Sequence, residues 1–154
     1  MKVVLTQRPV MKKILPVILC ASLMMCFSCK KPGGLTQSIL EKYFNKNVIG
    51  RDFVVSLAKD STTDLTAAYS GYIFVLEKTD FYHGPLKATK GSNQYEGTWS
   101  TNDDYSKLII TLPATVPEFE FLSRSWRFTK KDVPTLQLAP WGSNAPVVLH
   151  MTRQ

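Results

Sequence analysis

The sequence predicts an all-β fold, an eight-stranded antiparallel up-and-down barrel with one short N-terminal helix. Three observations carry that prediction. From Arg51 onward, short runs rich in β-branched and aromatic residues recur about every ten residues between Gly, Pro, Asn and Asp clusters. Within the runs, apolar and polar side chains alternate at period two, which gives each strand one dry and one wet face. Eight such runs are enough to close a sheet on itself, removing both edges and leaving an interior that side chains or one small ligand can fill.

Before the first run lies an export signal. Lys12 and Lys13 precede Ile14 to Phe27, a stretch without charge. A positive region followed by an apolar segment of about 7 to 15 residues is the pattern that enters the translocation machinery. The segment is shorter than the roughly 20 residues a transmembrane helix requires. The residues ahead of Met11 add nothing to this pattern, so Met11 is expected to be the true start. The signal then ends in Met25-Cys26-Phe27-Ser28-Cys29. That segment resembles the lipobox of bacterial lipoproteins, in which a small residue precedes the cysteine that becomes the mature N-terminus. The resemblance implies cleavage after Ser28 and lipidation of Cys29. Each buried methylene contributes about 0.8 kcal/mol, so the two or more acyl chains of such a residue anchor stably. Lys30 rather than Asp follows the cysteine, which by analogy with lipoprotein sorting points to the outer membrane, with the leaflet left open.

All three cysteines, Cys20, Cys26 and Cys29, fall within the first 29 positions, so the domain holds no disulfide. Lys2, Arg8, Lys12 and Lys13 leave with the signal. Fifteen of the nineteen cations then face twelve acids, a net charge of +3. The high pI is thus largely a property of the leader, and a nucleic-acid role loses its support. Residues 29–34 form the lipidated cysteine and a Pro-Gly-Gly tether, and residues 35–154 form one domain, expected to be monomeric.

Leu35 to Asn47 brings Leu35, Ile39, Leu40, Tyr43 and Phe44 near helical spacing, with Thr36 available as an N-cap. This is the N-terminal helix, its apolar stripe turned toward the core. Strands are predicted near 51–58, 70–78, 83–90, 93–101, 106–112, 120–130, 134–139 and 146–152. Alternation assigns Phe53, Val55 and Leu57, then Tyr72, Phe74 and Leu76, then Tyr95, Gly97 and Trp99, to the inner face. It does the same for Leu122, Arg124, Trp126 and Phe128, for Leu136 and Leu138, and for Val147, Leu149 and Met151.

Gly97-Thr98-Trp99-Ser100, Leu108-Ile109-Ile110, Trp126-Arg127-Phe128 and Leu136-Gln137-Leu138 follow one another in this order. The pattern resembles the lipocalin-like domains of small bacterial lipoproteins, over most of residues 35–154. It implies a barrel able to hold a small apolar or amphipathic molecule. In lipocalins the Gly-x-Trp lies on the first strand, whereas here it falls near the middle, and no ligand residue is carried over.

Candidate ligand contacts come instead from the inward aromatics Phe74, Trp99, Trp126 and Phe128, which fill a core or line a cavity. Arg124 joins them, because alternation turns it inward and a buried cation must find a partner. Glu96, Glu118 or Asp104 could pair with it, or it could reach the rim, or meet an anionic head group. Catalytic residues are not identified. His83 and His150 stand alone, no Gly-x-Ser-x-Gly elbow is present, and two isolated histidines lack zinc-ligand spacing. Asn102-Asp103-Asp104 reads as a turn, and Glu118 and Glu120 flank Phe119 and are expected to face solvent together. Trp141, in the last hairpin, either exposes its ring at a rim or folds back. The sequence therefore leads to a lipid-anchored binding protein without metal or cofactor, or else a non-catalytic interaction module of the cell envelope. An enzyme is the least favoured class.

Overall fold

A computed structural model describes residues 33 to 154, with side chains from Ile39 onward. The predicted export signal over 1–28 and the predicted lipidation site, Cys29, lie outside the described residues. Helix α1 spans Gly33–Asn47. It begins two residues ahead of the predicted start, so Thr36 sits inside the helix and does not cap it. Its buried contacts come from Phe44 and from Val48 just beyond its end, while Ile39, predicted for the core stripe, is 66 % exposed. The Phe44 ring packs 5.0 Å from Tyr105, 5.6 Å from Trp99 and 6.3 Å from Phe128, and α1 thereby stoppers one mouth of the barrel.

The barrel strands are β1 (Asp52–Asp60), β2 (Thr63–Asp64), β3 (Tyr72–Leu76), β4 (His83–Lys90), β5 (Asn93–Thr101), β6 (Lys107–Thr111), β7 (Ser125–Lys130), β8 (Thr135–Pro140) and β9 (Val147–Arg153). From β3 to β9 each strand pairs antiparallel with the next. Pairing of β1 with β9, from Phe53↔Arg153 to Asp60↔Val147, closes the sheet. The two-residue β2 only extends the end of β1. Eight strands therefore make the closed antiparallel barrel, as the periodicity predicts.

Two local departures shape the wall. Val55 pairs with Met151 and Leu57 with His150, so Ser56 is an extra residue, a β-bulge. The bulge reverses the alternation: Ala58 becomes fully buried, and Leu57, expected inside, is only half-buried. The second departure is at 120–130, where the predicted strand begins only at Ser125. Residues Phe119–Leu122 instead form a single helical turn, α2, closed by the Ser123 N–H donating to the Phe119 carbonyl at 2.9 Å. Pro113 and Pro117 cannot donate to a sheet ladder, and Phe119, Phe121 and Leu122 are buried together from the helical turn. The spacing Phe-x-Phe-Leu fits both periods, which is why alternation misread it.

Phe119 enters the second mouth of the barrel, its ring 5.3 Å from those of Tyr72 and Tyr95 and 6.5 Å from Phe74. Between the two stoppers the interior is packed with side chains. Trp99, Trp126, Phe53, Phe74 and Phe119 are among the largest fully buried residues.

Candidate ligand site at the barrel rim

Where β1 leaves β3, the barrel wall is incomplete. The two strands pair only at Asp52↔Val75 and Phe53↔Phe74. Farther along β1 a short 3-10 helix, η1 (Thr66–Tyr69), takes over. The Ala58 N–H donates to the Thr66 hydroxyl at 2.9 Å, and the Leu65 N–H donates to the Ala58 carbonyl at 2.8 Å. These bonds replace missing ladder partners, as buried backbone groups require.

Facing η1 across the barrel mouth is the 112–124 connection, held to the barrel by side chains. The Leu112 N–H donates to Ser123 Oγ at 3.0 Å, and Trp126 Nε1 donates to the Leu122 carbonyl at 3.0 Å. Tyr69 Oη donates to the Glu118 carbonyl, and Tyr72 Oη donates to Glu118 Oε1 at 2.9 Å. Burial, and then the Glu118 charge, push the Tyr69 hydroxyl up to about 12. The Glu118 carboxyl is held below its usual range by its own backbone N–H and by the Tyr72 hydroxyl. Glu118 is thus turned back onto the barrel, while Glu120 faces solvent as expected.

Between η1 and this connection lies an open hollow of about 330 Å³. Its apolar wall is Leu65, Ala68, Tyr69 and Phe121; its charged groups are Arg124, Asp60, Glu118 and Glu120. Arg124 stands just before β7, at the rim, and does not enter the barrel as alternation predicts. Its guanidinium lies 4.9 Å from the Phe121 ring centre and 5.5 Å from that of Trp126. Stacking of this kind is favourable because the ring face is electron-rich. Among the described residues no carboxylate is within ion-pairing distance of Arg124, so none of Glu96, Glu118 and Asp104 neutralises it.

The other predicted contacts are spread through the barrel. Phe74, Trp99 and Trp126 are at most 1 % exposed. Trp99 donates its Nε1 hydrogen to the Glu77 carbonyl and packs under Phe44, Trp126 packs on Phe121, and half-buried Phe128 sits beside Phe44 at the α1 end. Arg124 and Trp126 are brought together; Trp99 and Phe128 are not brought to them. The residues that complete the hollow, Leu65, Ala68, Tyr69 and Phe121, were missed because each looks like ordinary loop or strand filling until η1 meets the connection.

Elsewhere, the chemistry-bearing groups are dispersed. His83 Nδ1 pairs with Asp80 at 2.9 Å, both exposed, and among the described residues no three His, Asp or Glu side chains gather as metal ligands. Asn102 and Asp104 serve their turn: Asn102 Oδ1 accepts the Lys107 N–H and Asp104 Oδ1 accepts the Ser106 N–H. Trp141 is 43 % exposed, with the Lys107 ammonium 5.3 Å from its ring centre. Comparisons of the chain with protein-family models, with curated proteins and with solved structures find no match.

Proposed function

We propose that this protein is exported, anchored to the outer membrane through an acylated Cys29, and binds a small amphipathic molecule at the rim hollow as a monomer, without catalysis. The observation that carries the binding reading is Arg124. A guanidinium held on two aromatic rings, beside an apolar wall and without an internal carboxylate partner, is ready to receive an anionic group from a ligand. The ligand's apolar part would lie on Leu65, Ala68 and Phe121. This moves the site from the barrel interior, where Phe74, Trp99 and Trp126 pack against one another's neighbours, to its edge.

The test is mass spectrometry of small molecules that copurify with the detergent-extracted full-length protein. A ligand present with the native chain and lost from Arg124→Gln supports the reading; a native chain that carries none, even after exposure to envelope extract, overturns it. Anchoring is tested separately. Cys29→Ala is expected to move the protein from the membrane fraction to the soluble one, and continued partitioning with membranes would refute the anchor.

A second reading, an interaction module of the envelope, draws on the filled interior and on the exposed rings of Phe81 and Trp141, 48 % and 43 % accessible. It predicts that Phe81→Ser or Trp141→Ser abolishes cross-linking to a partner in cells, while Arg124→Gln does not.

A further inference from the structure

We infer that the molecule held at the rim is zwitterionic, its head carrying an ammonium beside the anionic group; this rests on the reading of the hollow as a ligand site. Among the described residues lining the hollow, Arg124 supplies the one cation, against the carboxylates of Asp60, Glu118 and Glu120.

These three acids are not equivalent. Glu118 is already engaged, since the Tyr72 hydroxyl donates to it, and the Lys90 ammonium sits 4.7 Å from the centre of that same Tyr72 ring. Asp60 and Glu120 belong to none of the ion pairs among the described residues. They leave two uncompensated negative charges around one uncompensated positive charge.

That arrangement selects by charge. Coulomb energy falls only as the inverse of distance, so an anion attracted to Arg124 is also repelled by Asp60 and Glu120. A simple cation is drawn to the two carboxylates but is repelled by Arg124 and leaves it without a partner. An ammonium and an anionic group a few bonds apart satisfy both sides at once, and like-charge contacts against the wrong ligand supply specificity. The volume, about 330 Å³, is near the lower end of the roughly 300 to 1,000 Å³ of small-molecule sites. A free amino acid or peptide end, or a short lipid head group, has this chemistry and size.

The experiment uses the full-length chain in nonionic detergent and follows the methyl resonances of Leu65 and Ala68 by NMR. The probes are leucine, N-acetylleucine, leucine amide and hexylphosphocholine. Leucine or hexylphosphocholine is expected to bind about tenfold or more tightly than either singly charged probe, the effect of losing one charged contact. Preference for leucine assigns the head to an amino acid or peptide, and preference for hexylphosphocholine to a lipid. In the Asp60→Asn/Glu120→Gln variant, the advantage should pass to N-acetylleucine; in Arg124→Gln, to leucine amide. If a singly charged probe binds the native chain as well as the zwitterions do, the zwitterion inference falls and the site stands. If no probe shifts the Leu65 and Ala68 methyls, both fall.

Discussion

Among single residues, Gly97 is one whose identity close approach dictates. A Cβ built there would lie 2.2 Å from the Thr111 carbonyl oxygen and 3.0 Å from Leu112 Cδ2. The Gly of Gly97-x-Trp99 is thus required by the close approach of the backbone at the end of the neighbouring β6, while Trp99 fills the core beneath α1. Gly97→Ala is expected to destabilise the fold by about 1 to 3 kcal/mol, the usual cost of overpacking, read as a lowered urea midpoint. Tyr72 has a double role, packing on Phe119 and donating to Glu118. Tyr72→Phe keeps the ring and should cost about 1 kcal/mol at neutral pH, the net worth of one hydrogen bond. The sign with pH follows from Glu118. Its carboxyl is held below its ordinary value of 4.5 in the folded chain, so its contribution is present above that pH and lost as pH falls through the folded value. The difference between Tyr72→Phe and the native chain should therefore shrink on acidification below 4.5, measured by urea unfolding.

At the scale of elements, the two ends of the barrel are closed by different means. α1 comes from outside the sheet and covers one mouth with Phe44; the 112–124 connection turns inward and closes the other with Phe119. Because Phe119 is fully buried among Tyr72, Phe74 and Tyr95, Phe119→Ala should remove about 3 to 5 kcal/mol of stability. Thermal or chemical unfolding measures this directly. The same variant should also loosen the wall carrying Phe121 and Arg124, so any rim ligand is expected to bind it more weakly. Alternation located the strands well because each presents one face to the core. It failed at 119–124 because that segment buries both Phe residues and Leu122 from a helical turn, and at Leu57 because one inserted residue flips every position after it.

At the scale of the whole molecule, closure of β1 on β9 places His150 in the wall opposite Leu57 and Gln137. Burial pushes its imidazole below its ordinary value of 6.5. The unfolded chain then binds the proton first, so the histidine's contribution is full above pH 6.5 and declines as pH falls toward the folded value. The native chain should lose stability as pH falls below 6.5, and His150→Gln should flatten that decline. A decline of the same steepness in His150→Gln would assign it to other groups.

Legible in the chain alone were the number and approximate positions of the barrel strands, the identity of most inward residues, and the turn chemistry of Asn102 to Asp104. Each of these is a local property: period-two burial, or side chains that bond to their own backbone. The sequence also singled out Arg124 as a cation that needed an explanation. What that explanation is depends on long-range packing. Whether the interior is open or filled depends on α1 and α2 arriving at the two mouths, and the hollow exists because η1, more than forty residues before the connection, completes a gap in the wall beside it. Contacts between segments so far apart leave no periodic trace in the chain, which is why the strands were legible and the candidate site was not.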